Sequence, residues 1–248
     1  MTELAVIVPT RGPEPHLPDL LSSLANQGGG DDWPGVKMRV LLVDDARAHG
    51  GTRSPASRTS GNVVAAWDWW RVEGHGHIID FDYTHQLEGG YGAALALGTK
   101  RARGDLLLYA DADVTFPQGL VREMLDLWCG YVPHHEAVDI VAVRRRHAMP
   151  GISVLGDPWI PRTGYVTTWA CLLDRATLEG LGGWRDVFLP DADLWMRARA
   201  AGLRFGTTTR RVRTHRKVHQ EARKLWALGK MIVSDGRDVP GRAYRRPL

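Results

Sequence analysis

Residues 104–113 read Gly-Asp-Leu-Leu-Leu-Tyr-Ala-Asp-Ala-Asp, an apolar run that ends in two carboxylates. The run over residues 106–110 predicts a buried β-strand. Because side chains two positions apart in an extended chain point the same way, we expect Asp111 and Asp113 to face one point beyond the strand. Close carboxylates repel unless a cation lies between them, and Mg²⁺ or Mn²⁺ prefers oxygen ligands. The stretch predicts a metal–diphosphate site at the carboxyl end of a central strand, with solvated acids in a turn as the alternative.

Composition sets broad limits on the protein. The chain has 248 residues, a formal net charge of +4 and two cysteines. This length fits one domain with at most an appendage, and the mild basicity suits a phosphate-bearing ligand, an anionic surface or nucleic acid. Two cysteines far apart in the sequence predict neither a disulfide framework nor a zinc site. Because no signal peptide or apolar run of roughly 20 residues is apparent, we expect a cytoplasmic protein without a transmembrane segment.

Apolar periodicity predicts strands that alternate with helices. The predicted strands cover residues 4–8, 40–43, 77–83, 106–110, 138–143, 166–173 and 203–208. The predicted helices cover residues 17–24, 62–71 and 93–103, a segment from residue 117, and residues 175–181 and 190–201. Strand, helix and strand in succession form the right-handed βαβ unit. We therefore expect an α/β fold whose sheet is flanked by helices.

Several connecting segments have features of binding loops. Glycines over residues 89–92 precede a predicted helix; they would allow close approach of a ligand and expose backbone N–H groups to an anion, although a plain turn explains them equally. The arginines at residues 144–146 are interpreted as a solvated loop, with a lid over a diphosphate as the alternative. Residues 182–184 predict a tight turn. Asp191 opens a helix, where an aspartate is most often a cap.

The chain resembles the family 2 glycosyltransferases of the GT-A fold over about residues 4–216. Matching segments occur in the family's order: Val6-Ile7-Val8-Pro9-Thr10, Leu42-Val43-Asp44-Asp45, the run from Gly92 to Asp113 with the D-x-D motif, Gly182-Gly183-Trp184, and Asp191-x-Asp193-Leu194-x-x-Arg197. The Gly-Tyr-Gly run is similar to that of polyprenyl-phosphate sugar synthases. Two departures are Pro190, where the family usually has Glu, and Ala46-Arg47, where it usually has Gly-Ser.

This resemblance implies a Rossmann-like, mixed but mostly parallel sheet in a single domain over residues 1–216, followed by a basic C-terminal helix and tail over residues 217–248. It implies that Asp45 and Thr10 read the base of a nucleotide sugar and that Asp191 is the general base. Asp111, Asp113 and His215 are the implied ligands of Mg²⁺ or Mn²⁺, with a surface histidine as the alternative for His215. The full set of implied nucleotide-sugar contacts is Pro9, Thr10, Arg11, Asp44, Asp45, Gly92, Asp111, Ala112 and Asp113.

The implied activity is metal-dependent transfer of a sugar from a UDP-, GDP- or dTDP-sugar to an acceptor hydroxyl, with inversion. The acceptor is open, and a small soluble metabolite is one candidate. A retaining transferase of the same fold and a nucleotidyltransferase are alternatives. A non-catalytic protein that binds an anion or nucleic acid is an alternative from another class, but the arginines are too scattered for nucleic acid to be expected.

Overall fold

The computed structural model describes residues 2–10, 14–27, 36–45, 79–86, 90–146, 170–187 and 189–215. The strands are β1 (Thr2–Thr10), β2 (Val36–Asp45), β3 (Ile79–Gln86), β4 (Leu106–Ala110), β5 (Val114–Thr115), β6 (Ile140–Arg146), β7 (Ala170–Asp174) and β8 (Phe205–Thr214). The helices are α1 (Leu17–Ala25), α2 (Tyr91–Arg101), α3 (Leu120–Cys129), α4 (Arg175–Gly180) and α5 (Pro190–Ala200). The predicted helix at 62–71 and the tail at 217–248 lie outside the described residues.

The strands form one sheet in the order β3-β2-β1-β4-β7-β6-β8-β5. β1 runs parallel to both β2 and β4, and β2 runs parallel to β3. β7 is antiparallel to β4 and β6, β6 is parallel to β8, and β5 is antiparallel to β8. This arrangement confirms the predicted mixed, mostly parallel α/β fold. Within the described part of the chain, no helix has the length and apolar character needed to cross a bilayer.

Helices cover both faces of the sheet, and the side chains of β1 pack against helices on each face. Leu4, Val6 and Val8 pack in the cluster that contains α1 and α3. Ala5 and Ile7 point the other way, into the cluster that contains α2, α4 and α5. Burial on both faces explains why the central strands are continuous apolar runs rather than alternating ones.

The prediction of a loop at residues 144–146 is wrong, because these residues continue β6. They pair in parallel with Arg211, Val212 and Arg213 of β8, which itself extends beyond the predicted end at residue 208. Val212 is buried, whereas Arg211 and Arg213 are exposed. A strand with one solvated face alternates polar and apolar residues. Arg211 and Arg213 can therefore lie on the solvated face of β8 without interrupting the strand.

Arg175 fixes the approach to β4. Its guanidinium donates to the carbonyl oxygens of Thr99 at 2.8 Å, Ala102 at 2.9 Å and Gly104 at 3.0 Å. The last carbonyls of a helix lack partners within the helix. By binding carbonyls at the end of α2 and in the next loop, Arg175 holds the start of β4, and thereby the strand that leads to the two aspartates.

Candidate active site

The carboxyl ends of β1 and β2 lie side by side. Thr10 is the partner of Asp44 in the parallel register, and the Thr10 Oγ1 donates to the carbonyl oxygen of Val43 at 3.4 Å. Asp44 is fully buried. Pro9 and Asp45, two other predicted nucleotide contacts, also lie at these strand ends. Arg11, a third predicted contact, lies outside the described residues. The sheet thus brings the first two predicted binding segments together.

Asp111 follows β4 and is held by a residue that the sequence analysis did not single out. The hydroxyl of Tyr91, the first residue of α2, donates a hydrogen bond to Asp111 Oδ1. Asp111 is only 2% exposed, so this contact orients a buried carboxylate. The signal in the sequence was a tyrosine between two glycines at a helix start.

Residues 112 and 113 form a turn rather than an extended segment. The extended geometry predicted for residues 111–113 is therefore wrong, because the chain must leave β4 and turn so that β5 can pair with β8. Ala112 packs in the core beside α1 and α3, while Asp113 stays partly exposed. Both aspartates still lie just beyond the carboxyl end of β4.

His215 follows β8 and reaches the same turn. Its backbone N–H donates to the carbonyl oxygen of Asp113 at 3.0 Å, and its Nε2 lies 3.1 Å from Thr115 Oγ1. Its ring also stacks on His16, with centroids 4.0 Å apart. Partial burial and the neighbouring His16 lower the pKa of His215, although the carboxylates of Asp19 and Asp113 oppose this shift.

The ligand atoms near His215 belong to a different set from the predicted one. In the part of the chain that the structure describes, His16, Asp19 and His215 offer ligand atoms within 4.8 Å of one another. Asp111, Asp113 and His215 do not form such a group there. The two carboxylates nevertheless suit Mg²⁺ or Mn²⁺ in chemical type, whereas the imidazole is more typical of later transition metals.

Asp191 is buried at the start of α5, at 7% exposure. Leu189 is the N-cap residue, so Asp191 is not the cap that its position suggested. Its Oδ1 accepts the backbone N–H of Ala192 at 3.0 Å. Pro190 occupies the first turn, where a missing N–H costs nothing. The departure from the family's Glu therefore leaves the helix start intact.

Cys171 lies where β4, β7 and α5 pack together. This thiol is on β7, fully buried and paired with Tyr109 of β4. Leu194 and Trp195 of α5 belong to the same core cluster. Burial first, and then the carboxylates of Asp191 and Asp111, raise the pKa of Cys171. The helix whose first turn carries Asp191 therefore packs against the strand that leads to Asp111.

The start of α2 is covered by the loop before α5. Both carboxylate oxygens of Asp186 accept the backbone N–H of Gly90 at 2.9 Å. A Cβ atom on Gly92 would overlap the carbonyl oxygen of Arg185. Positive φ angles at residues 182 and 183, of 80° and 71°, confirm the predicted tight turn that leads into this loop. Packing against the loop is a structural reason for glycine at position 92.

Comparison with known proteins agrees with this architecture. The family model described as "Glycosyl transferase family 2" matches residues 5–151. The mannosyltransferase PcManGT from Pyrobaculum calidifontis, in complex with GDP-Man and Mn²⁺, superposes with a TM-score of 0.68 and 21% identity over 96% of this chain and 65% of that one. This chain therefore spans less than two thirds of the length of that mannosyltransferase.

Two other solved structures share the fold. S. aureus TarS 1–349 with UDP-GlcNAc has a TM-score of 0.58 and 17% identity, covering 89% of this chain and 61% of that one. Glucosyl-3-phosphoglycerate synthase from Mycobacterium tuberculosis, with Mn²⁺, UDP-glucose and phosphoglyceric acid, has a TM-score of 0.57 and 15% identity, covering 94% and 78%. No curated protein sequence matches the chain. Because the family model covers more than half of the chain, the protein belongs to glycosyl transferase family 2, and its fold is the GT-A fold.

Proposed function

We propose that this protein transfers a sugar from a nucleoside-diphosphate sugar to an acceptor hydroxyl, with inversion and with the help of Mg²⁺ or Mn²⁺. The observation that carries the proposal is the register of the sheet, which places Thr10 beside Asp44 and pairs β1 with β4, the strand that leads to Asp111. A candidate base must lie near the anomeric carbon, and α5, whose first turn carries Asp191, packs in the same core cluster as Tyr109 of β4. The family membership supports the same reaction class.

The ends of β1 and β2 would bind the nucleoside. Thr10 and Asp44 are register partners, and Asp45 is the next residue of β2. Carboxylate and hydroxyl oxygens at this edge can accept hydrogen bonds from the N–H groups of a base or the hydroxyls of a ribose. We assign Pro9, near the end of β1, and Arg11, which follows shortly in the sequence, to the same subsite.

Asp111 and Asp113 would hold the divalent cation, with His215 as a further ligand. A cation at this turn would neutralise the charge that develops on the nucleoside-diphosphate leaving group. The chain contributes orientation: Tyr91 holds Asp111, and the backbone of His215 holds the carbonyl of Asp113. Ala112 and Gly92 would pack close to the diphosphate. The mannosyltransferase PcManGT, which has GDP-Man and Mn²⁺ in its structure, supports the assignment of a nucleotide sugar and a metal.

Asp191 would accept the proton of the acceptor hydroxyl while the hydroxyl oxygen attacks the anomeric carbon. Attack from the side opposite to the leaving diphosphate inverts the configuration. The hydrogen bond from Ala192 N–H orients the carboxylate at the helix start. The positive end of the helix dipole, at the N-terminus, stabilises an ionised carboxylate. A carboxylate must be ionised to act as a base.

The acceptor subsite would be formed by residues 149–168 and by the tail. We propose that residues 1–216 form the catalytic domain and that residues 217–248 contribute to acceptor binding. A small soluble metabolite remains the candidate acceptor, and the cytoplasm remains the expected compartment.

A panel of UDP-, GDP- and dTDP-sugars tests the proposal. We expect one of these donors to bind and to release its nucleoside diphosphate slowly in the presence of Mn²⁺ but not of EDTA. Asp113→Ala should lose metal-dependent binding, whereas Asp105→Ala, an exposed residue just before the amino end of β4, should retain it. Failure of every donor to bind would overturn the proposal. The anomeric configuration of the product, measured by NMR, distinguishes inversion from retention.

A further inference from the structure

A cluster of two histidines and an aspartate lies beside the turn that carries Asp113. Two of its members are close in the sequence, and the third is about 200 residues away. His16 precedes α1, Asp19 lies in its first turn, and His215 follows β8. His16 Nδ1 lies 3.5 Å from Asp19 Oδ2, and the ligand atoms of all three side chains lie within 4.8 Å of one another. The two imidazole rings are nearly parallel, at 13°. We call these three residues the His-Asp-His cluster.

The separations in the cluster are close to those of a transition-metal site. Bonds of about 2.0–2.1 Å from Zn²⁺ to nitrogen or oxygen place tetrahedral ligand atoms about 3.3 Å apart. His16 and Asp19 are already near that separation. The imidazole of His215 would have to rotate out of its stack on His16, because a metal lies in the plane of each ring that binds it. Imidazoles suit Zn²⁺, Co²⁺, Ni²⁺ and Cu²⁺, whereas Mg²⁺ prefers oxygen ligands alone. The cluster therefore fits a different class of metal from Mg²⁺.

The surroundings of His215 favour metal binding. The hydrogen bond with Thr115 orients the ring, and the tautomer in which Nε2 donates leaves a lone pair on Nδ1 for a metal. Neutral imidazole is the form that binds metals. Arg213 is a nearby positive charge that opposes a cation, while the carboxylates of Asp19 and Asp113 attract it.

We propose that His16, Asp19 and His215 form a transition-metal site distinct from the Asp111–Asp113 site, and that a metal bound there inhibits sugar transfer by withdrawing His215. The second half of this statement rests on the proposed role of His215 at the donor site. The imidazole of His215 cannot bind the cluster metal and the donor-site metal in the same position. Zn²⁺ bound at the cluster therefore removes His215 from the donor-site metal. The protein would then lose activity as free Zn²⁺ rises.

Binding is tested first, without any sugar donor. Metal-free protein is titrated with Co²⁺, whose visible absorption reports imidazole ligation, and with Zn²⁺ in competition with a chromophoric chelator. We expect one equivalent to bind, with Zn²⁺ at least 100-fold tighter than Mn²⁺. His16→Ala and Asp19→Asn should each weaken Zn²⁺ binding at least 10-fold, whereas His135→Ala, an exposed histidine outside the cluster, should not. Unchanged Zn²⁺ affinity in His16→Ala and Asp19→Asn would overturn the site.

Inhibition is tested next, and it separates this proposal from the proposed function. Asp113→Ala should keep Zn²⁺ binding even though it loses metal-dependent donor binding. Zn²⁺ should suppress Mn²⁺-dependent turnover of the unaltered protein, and His16→Ala should be fully active without Zn²⁺ and resist Zn²⁺ at least 10-fold better. Equal inhibition of both proteins would overturn the coupling through His215. Should no donor prove active, the Co²⁺ and Zn²⁺ titrations still decide whether the site exists.

Discussion

The hydroxyl of Tyr91 on α2 donates a hydrogen bond to the buried carboxylate of Asp111 at the end of β4. The two residues are 20 positions apart, one at the first position of a helix and the other just beyond the end of a strand. A phenol that binds one oxygen of a carboxylate fixes its rotation, and it does so before any ligand arrives. Tyr91 is therefore a positioning residue for the proposed donor site.

Tyr91→Phe should lower the rate of sugar transfer without unfolding the protein. A hydrogen bond to a charged group contributes about 1.5–3 kcal/mol, so we expect a loss of roughly 10-fold in kcat/KM, with a higher Mn²⁺ requirement. Steady-state kinetics at several Mn²⁺ concentrations measure both effects. Tyr131→Phe is the matched control, because Tyr131 is 74% exposed. Equal kinetics for the two variants would show that Tyr91 does not position Asp111.

Asp191→Asn should abolish transfer and leave nucleotide-sugar binding nearly intact. An amide of the same shape keeps an oxygen to accept the Ala192 N–H but cannot take a proton from the acceptor. Loss of a general base costs roughly 10²–10⁴-fold in rate. Calorimetric donor binding and turnover, compared in one preparation, separate the two effects.

The control for Asp191 is its neighbour Asp193. Asp193 pairs with Arg197 at 2.6 Å and with Arg185 at 3.5 Å. Asp193→Asn should lower the melting temperature by a few degrees while the chemical step survives. If Asp191→Asn still transfers sugar, another residue is the base.

Gly98→Ala should destabilise the protein, although alanine is the better helix former. A Cβ at residue 98 would lie 2.5 Å from Ile7 Cγ2 and 2.9 Å from Val43 Cγ2. Overpacking costs about 1–3 kcal/mol, which exceeds the gain in helix propensity of about 1 kcal/mol. Gly180→Ala, where no atom lies within 4 Å of the new Cβ, is the control. Urea unfolding should show lower stability for the first variant and not for the second.

Glu123 should make stability depend on pH through its contacts between α3 and β8. Burial opposes its ionisation, but hydrogen bonds from Thr209 and Arg210 lower the pKa of Glu123 below 4.5. A carboxyl with a depressed folded-state pKa stabilises the protein above pH 4.5, and this stabilisation is lost as pH falls further. Glu123→Gln should melt roughly 2–4 °C lower at pH 7, and the difference should shrink below pH 4.5. A constant difference across this range would contradict the assignment.

The local sequence pattern was sufficient to predict a buried strand. The strand at residues 106–110 was predicted with its observed bounds, because a continuous apolar run between a glycine and an aspartate has one stable location, inside the sheet. The arginines at residues 144–146 were misread as a loop for the opposite reason. Their strand pairs with β8, and nothing local in an arginine run signals a partner some 65 residues away.

The α/β class, the family and the residues with the right chemistry could be identified from the chain alone, since apolar periodicity and short motifs are local properties. Which of those residues meet depends on the tertiary fold. The fold packs α5 in the core cluster of Cys171 and Tyr109, sets Tyr91 against Asp111, and stacks His215 on His16. These contacts follow from strand order and helix packing, which join segments far apart along the chain. No periodic pattern in the sequence indicates such contacts.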